Sequence, residues 1–251
     1  MARRPRIPPV IPVRTLVPTI LTVMALCAGV TSIRFALAER WEDAVIAIMV
    51  AALFDLLDGR VARMLKGASR FGAELDSLSD VICFGVAPAL VFYLWSLNTL
   101  PGLGWAVVLL FCVCCALRLA RFNILDQDAS EDGTVQHFFV GVPAPAAAGL
   151  LILPMIAWFE VNWSFLQSGY LGAAYAIIIA LLMISRLPTL TLKYVRIDRG
   201  LVVPVLVAIG VLVGLLAIYF WATMALLGVL YMLSIPFAAV QSRRHTDASG
   251  T

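Results

Sequence analysis

Charge is what this sequence lacks most. Only 13% of its 251 residues are charged, whereas 62% are apolar, and the mean hydropathy is +0.98. A soluble domain usually carries about 25% charge and 45–50% apolar residues. A water-soluble globule of this size could not hide so much apolar surface, so lipid must be the solvent for most of the chain. Cysteine is also sparse. Cys27, Cys83, Cys112, Cys114 and Cys115 all fall in apolar stretches. No histidine or second cysteine pair stands near them at zinc-ligand spacing, and they read as small residues packing between helices. His137 has no ligand-spaced partner either and reads as solvated. The net charge of +3 is too small for a nucleic-acid partner, and no aromatic-basic groove pattern is visible. A cleavable signal peptide, an internal repeat and a separate soluble domain are equally missing from the pattern.

Long apolar runs dominate what is there. A spanning helix needs about 20 mostly apolar residues. Eight candidate segments are found, at 16–37, 43–65, 74–97, 102–123, 140–159, 170–186, 201–220 and 222–240. The expectation is an all-α, polytopic transmembrane helical bundle of about eight spans over residues 16–240. Residues 1–15 form a basic, proline-rich leader, and 241–251 a disordered tail. With eight spans, sixteen of the 18 Lys and Arg residues fall on one side, leaving only Arg34 and Arg40 on the other. Cytoplasmic connections carry the basic excess, so both termini are expected to be cytoplasmic. Trp41, Trp95, Trp158, Trp163 and Trp221 lie near the predicted outer ends, as in interfacial belts. The basic segment 187–200 reads as a loop facing anionic headgroups of membrane lipids.

Ionisable groups inside or beside a spanning segment are costly and point to function. Asp55 and Asp58 are three residues apart and share a helical face, which Gly59, Ala62 and Arg63 continue. On the next helix Gly72, Asp76 and Asp80 are each four apart and also share a face. The linker from Met64 to Phe71 is short enough to make these helices antiparallel neighbours, with both acidic faces at the membrane surface. Four carboxylates meeting there repel unless cations neutralise them. Oxygen-only ligands suit hard divalent ions such as Mg²⁺, Mn²⁺ or Ca²⁺, and two such ions would clamp a phosphoryl oxygen. Gly59 and Gly72 remove side chains where a large ligand must approach the backbone, and Arg63 offers a fixed cation for a phosphate. The bland alternative is an interfacial charge cluster with Arg60, Arg63, Lys66 and Arg70. It needs neither the glycines nor the repeated helical spacing. An ion transporter also uses intramembrane acids, but would place them at the midplane.

Asp58-Gly59-x-x-Ala62-Arg63, eight residues, then Gly72-x-x-x-Asp76-x-x-x-Asp80, led by Asp55, resembles the signature of the CDP-alcohol phosphotransferase family. The resemblance implies a CDP-alcohol such as CDP-diacylglycerol as one substrate. It implies two divalent metals, Mg²⁺ or Mn²⁺, held by the four aspartates, with Asp80 as proton acceptor. By the same match, Gly59, Arg63, Ser69 and Gly72 line the CDP-linked substrate, as does the stretch around Pro18. The family's first helix commonly begins Pro-Asn and carries a second Asn. Here Pro18 is followed by Thr19 and the second position is Ala25, so Thr19 or Thr22 would replace the lost polar group.

Three further stretches narrow the acceptor: Ser69 to Asp80 running on into Cys83-Phe84-Gly85-Val86-Ala87-Pro88-Ala89, then Arg118-Leu119-Ala120-Arg121-Phe122-Asn123, then Phe139-Val140-Gly141-Val142-Pro143-Ala144-Pro145. They resemble the bacterial membrane-embedded phosphatidylserine synthases. Phosphatidylglycerophosphate synthases usually show a proline after the third aspartate and a lysine after the fourth, where this chain has Ser77 and Val81. The implied reaction joins the hydroxyl of L-serine to the phosphatidyl group with loss of CMP, at the cytoplasmic face of a bacterial inner membrane. Sibling chemistry with choline, inositol or glycerol 3-phosphate stays open, since Arg118 and Arg121 could hold either the serine carboxylate or a phosphate. Asn123 is a further candidate there. Small-residue faces at Gly149, Gly210 and Gly214 would permit a homodimer.

Overall fold

A computed structural model describes residues 13–65, 69–132, 141–185 and 202–248. Most of the basic leader, the polar loop with His137 and the basic loop 187–200 lie outside the described residues. All regular structure among the described residues is helical. The elements are α1 (Val13–Leu37), α2 (Trp41–Leu65), α3 (Arg70–Asp80), a π-helical segment (Val81–Val86), α4 (Ala87–Trp95), α5 (Leu103–Asp132), α6 (Ala144–Val161), α7 (Gly169–Ile184), α8 (Val202–Ile218) and α9 (Phe220–Ala248). α3, the π segment and α4 run on as a single rod. α9 continues as helix to Ala248, into the stretch read from sequence as a tail.

The expectation of about eight spans is not met. Among the described residues four helices are long and apolar enough to cross a membrane: Leu16–Leu37, Phe71–Trp95, Leu103–Ile124 and Ala144–Val161. The other rods fall short for identifiable reasons. α2 carries Glu42 and Asp43 in its first turn and Asp55, Asp58, Arg60 and Arg63 toward its end. Its uncharged stretch, Ala44 to Phe54, would cover only about 16 Å at 1.5 Å per residue, roughly half of a hydrocarbon core. Gly169–Ile184, Val203–Ile218 and Phe220–Ile235 are apolar but shorter than a full crossing. The charge count behind the expected cytoplasmic termini was made over eight segments and does not carry over to four.

α1 organises the half of the bundle that holds the acids. It packs along α2 and also against α3, the π segment and α4. The α1–α2 connection is tight. Glu39 adopts a left-handed conformation (φ 57°), and Arg40 N–H returns to the Phe35 carbonyl at 2.9 Å, a helix stop of the Schellman kind. Small residues set the spacing behind the site. A Cβ at Gly29 of α1 would fall 2.7 Å from Cys83 Sγ, and one at Gly85 would fall 3.2 Å from Cys115 Cβ. Cys83, Cys114 and Cys115 are buried, as expected of small packing residues, whereas Cys27 is exposed on the outer face of α1.

The apolar core runs through α4, α5, α6 and α7 around Phe84, Phe92, Phe111, Leu151, Met155 and Met183, all 0–1% exposed. At one end of the bundle Trp95, Trp158, Phe159 and Trp221 form a chain of edge-to-face ring contacts, a favoured arrangement for aromatic rings. The opposite end is where the acids converge.

Candidate metal centre and donor cavity

Carboxylate oxygens of Asp55, Asp76 and Asp80 all lie within 4.8 Å of one another. The helical spacings Asp55–Asp58 and Asp76–Asp80 put each pair on one face, and the packing of α2 and α3 around α1 turns those faces together. Asp55 and Asp80 meet side chain to side chain. Asp58, 5% exposed, stands beside this trio, and its Oδ2 accepts a 2.7 Å hydrogen bond from Thr22 Oγ1. The structure therefore clusters three of the four expected ligands and ties the fourth to α1.

Ionised carboxylates at this separation repel by about 4 kcal/mol per pair at an effective dielectric of 20. Among the described residues no ion pair joins Arg60 or Arg63 to the aspartates. The ion pair present, Arg40–Asp43 at 2.6 Å, lies at the other end of α2. Arg60 and Arg63 therefore do not neutralise the acids, and Lys66 lies outside the described residues. Asp76 Oδ1 is buried with no hydrogen-bond partner, a costly state for a carboxylate oxygen unless a further ligand satisfies it. A convergent, oxygen-only set with an orphaned acceptor fits a hard divalent cation, and the Asp55, Asp76 and Asp80 cluster is able to coordinate one.

Beside the trio opens a cavity of about 230 Å³. Pro18, Thr19 and Thr22 of α1 line one wall, Asp58, Gly59, Ala62 and Arg63 of α2 another, and Ser69, Gly72, Ala73 and Asp76 the third. Each wall has a local cause. Thr22 also donates to the Pro18 carbonyl at 3.2 Å, so one hydroxyl serves both the helix and Asp58. Ser69 is the N-cap of α3, with extended backbone (φ −124°, ψ 149°), and its Oγ accepts from Gly72 N–H at 3.0 Å. That satisfies one of the orphan donors at the helix start. Gly72 keeps this corner clear, since a Cβ there would lie 3.0 Å from Ser69 Oγ and 3.6 Å from Thr19 Oγ1 and would crowd the cap. At Gly59 a Cβ would meet only Arg63 Nη1, at 3.8 Å, leaving the space beside Asp58 open.

The three residues suggested for the acceptor separate. Arg118 is half-buried, and its Nε is buried with no hydrogen-bond partner. Asn123 donates from Nδ2 to Ser77 Oγ at 2.9 Å, bracing α5 on α3. Arg121 is exposed. Sequence reasoning missed Ala73 on the cavity wall, and Ser79, whose buried hydroxyl reaches the Thr22 carbonyl at 3.4 Å. Both sit on the turns between Gly72, Asp76 and Asp80, and that spacing was the available signal. It also missed the π segment directly after Asp80, for which Val81 to Val86 carry no local cue.

Comparison with known proteins accounts for this arrangement. Residues 15–192 match the family described as CDP-alcohol phosphatidyltransferase, and residues 200–236 match CDP-alcohol phosphatidyltransferase 2. The chain is similar to the CDP-diacylglycerol–serine O-phosphatidyltransferase of Mycobacterium tuberculosis, at 39% identity over 91% of this chain and 79% of that protein. The Mycobacterium leprae protein of the same name is 41% identical over 91% of this chain and 76% of its own length. The Helicobacter pylori protein is 34% identical over 81% of this chain and 89% of its own length. With the family model covering residues 15–192, most of its length, the chain belongs to the CDP-alcohol phosphatidyltransferase family.

Proposed function

We propose that this integral membrane protein transfers the phosphatidyl group of CDP-diacylglycerol to the hydroxyl of L-serine, giving phosphatidylserine and CMP. One observation carries the reading: a cavity walled by Thr19, Thr22, Gly59, Arg63, Ser69 and Gly72 opens directly onto the aspartate cluster. A polar ligand held in that cavity has its phosphates at the acids. The three related proteins bear the name of this activity and align with most of the chain.

In this reading Gly59 and Gly72 let the cytidine and pyrophosphate approach the α2 and α3 backbones. Arg63 pairs with a phosphate, and Ser69, Thr19 and Thr22 offer hydroxyls. Pro18 closes the α1 wall. Asp55, Asp58, Asp76 and Asp80 would hold two divalent ions, Mg²⁺ or Mn²⁺, which when bound supply positive charge for the pyrophosphate. Asp80 accepts the proton from the serine hydroxyl as that oxygen bonds to the lipid-bearing phosphorus. The bond from that phosphorus to the CMP oxygen breaks, and CMP leaves with the electron pair. The site faces the cytoplasm at a bacterial inner membrane, where both CTP-derived donor and free serine are present. The faces at Gly149, Gly210 and Gly214, where an added Cβ would meet nothing within 4 Å, leave room for a second copy.

The test is CMP release from CDP-diacylglycerol by the purified protein in detergent, with Mg²⁺ or Mn²⁺, comparing serine, choline, inositol and glycerol 3-phosphate. Release stimulated by serine alone, abolished by chelator and restored by metal, is expected. Release with a different alcohol would keep the donor and overturn the acceptor. No release with any of them, from folded protein, would overturn the enzymatic reading.

A further inference from the structure

α1 and the rod that carries Asp76 and Asp80 meet along a buried seam, and two polar rungs cross it. Ser79 Oγ donates to the Thr22 carbonyl at 3.4 Å, and Cys83 Sγ donates to the Ala25 carbonyl at 3.3 Å. Ser79 and Cys83 are four residues apart on the rod, and Thr22 and Ala25 three apart on α1, so the rungs stand about one helical turn from each other. The two donor atoms lie 3.6 Å apart, and all four residues are 1–3% exposed. A carbonyl has a second lone pair beside the one its own helix uses, so each rung leaves the α1 ladder intact. A serine inside a helix can bond back to the carbonyl four residues earlier, as Ser77 does to Ala73 at 3.1 Å. Ser79 turns its hydroxyl to α1 instead.

Thr22 is thereby held on two sides. Its carbonyl takes the bond from Ser79, and its hydroxyl gives the 2.7 Å bond to Asp58 Oδ2. One residue of α1 thus couples the helix that carries Asp58 to the helix that carries Asp76 and Asp80. Ser79 stands between those two acids in sequence but reaches α1, whereas their carboxylates converge with Asp55. It does not line the donor cavity. Resting on the reading of the four aspartates as a divalent-metal centre, we infer that Ser79 is a positioning residue for that centre: through Thr22 it sets where Asp58 stands relative to Asp76 and Asp80. A divalent cation takes its oxygen ligands at fixed distances, so acids supplied by two helices serve it only if the register between those helices is held. Between helices bathed in lipid tails no hydrophobic drive does this, and packing and interhelical hydrogen bonds do. The Cys83 rung, a weaker donor, serves the packing of the seam, where Gly29 leaves it room.

The experiment titrates the metal-stripped full chain in detergent with Mn²⁺ and follows loss of the free-ion paramagnetic resonance signal, so that it reads binding rather than turnover. Wild type, Ser79→Ala, Ser79→Cys, Thr22→Val, the double variant of Ser79→Ala with Thr22→Val, and Cys83→Ala are compared, with thermal unfolding followed in each. Ser79→Ala should weaken Mn²⁺ binding about three- to tenfold, the range to which one interhelical hydrogen bond converts. Ser79→Cys, which keeps a donor of similar shape, should recover part of the loss. In the Thr22→Val background Ser79→Ala should change the affinity by less than about twofold, because the hydroxyl through which it acts is gone and the two effects cannot add. Cys83→Ala should lower the unfolding temperature and leave Mn²⁺ affinity within about twofold of wild type, since it lies outside the Ser79–Thr22–Asp58 relay. Should Ser79→Ala fail to fold, Ser79→Cys carries the same cycle against Thr22→Val. An unchanged affinity in Ser79→Ala, equal losses in both backgrounds, or as large a loss in Cys83→Ala would overturn the positioning role. No Mn²⁺ binding by folded wild type would instead overturn the metal-centre reading on which that role rests.

Discussion

Thr22 of α1 donates a 2.7 Å hydrogen bond to Asp58 Oδ2 of α2, and the two residues are only 3% and 5% exposed. A buried hydroxyl of α1 thereby holds one of the four carboxylates in place at the cavity wall. Hydrogen bonds to charged groups contribute about 1.5–3 kcal/mol. Thr22→Val, which keeps the shape and removes the donor, should weaken metal activation by about 10- to 100-fold, as that energy converts. Thr22→Ser should retain most of it. Titration of CMP release with Mg²⁺ or Mn²⁺ checks both, and an unchanged titration in Thr22→Val would remove the bond from the site.

Asp80→Asn removes the carboxylate proposed to accept the acceptor's proton while keeping its size. General-base assistance contributes roughly 10²–10⁴-fold, so turnover should fall by at least 100-fold. Metal-dependent binding of a cytidine nucleotide should be largely spared. Measuring both on one preparation separates the roles, and retained turnover would move the proton to another base.

Gly72→Ala tests the cavity wall. The added methyl would stand 3.0 Å from Ser69 Oγ and 3.6 Å from Thr19 Oγ1, filling space on the donor side and crowding the N-cap. The KM for CDP-diacylglycerol should rise about tenfold or more, since one misplaced methyl in a pocket is worth about 1–3 kcal/mol. The serine KM should stay near wild type. Equal rises in both would point to general damage to α3.

Gly29→Ala probes the packing behind the acids. Its Cβ would lie 2.7 Å from Cys83 Sγ and 3.2 Å from Cys83 Cα, too close without movement of the π segment. Overpacking of this kind typically costs about 1–3 kcal/mol, so thermal unfolding in detergent should shift downward. Adding Cys83→Ala should recover part of the loss, because the two sites share one contact. The tight approach to the Cα would keep the recovery incomplete.

The site was more legible in the sequence than the membrane topology. Asp55, Asp58, Asp76 and Asp80 announce themselves because carboxylates are rare in such apolar company and because helical spacing puts each pair on one face. Gly59 and Gly72 follow from the same period and Ser69 from the family resemblance, and all three line the cavity. Spans were harder, since apolar composition does not distinguish a rod that crosses a bilayer from a shorter rod within a bundle. Gly169–Ile184 carries no charged residue and yet is short. α2 was counted as a span although Asp43 and Asp55 leave only eleven residues between them. Arg118, Arg121 and Asn123 looked alike in sequence, and only tertiary packing tells a half-buried guanidinium from an exposed one and from a brace.

The π segment from Val81 to Val86 joins two helical stretches with incompatible demands. Below it, Gly72, Asp76 and Asp80 must look into a polar cleft. Above it, Ala87, Val91, Phe92 and Trp95 must look into carbon. A straight α-helix has one fixed phase, about 100° per residue from its 3.6-residue turn, so a stripe aimed at the cleft dictates where every later side chain points. The wider turn acts as a phase adjuster between these stripes. Excising a single residue there, such as Ile82, would leave both stripes intact in composition but rotate one against the other by about 100°. The protein could then aim its carboxylates or seat its aromatic end, but not both.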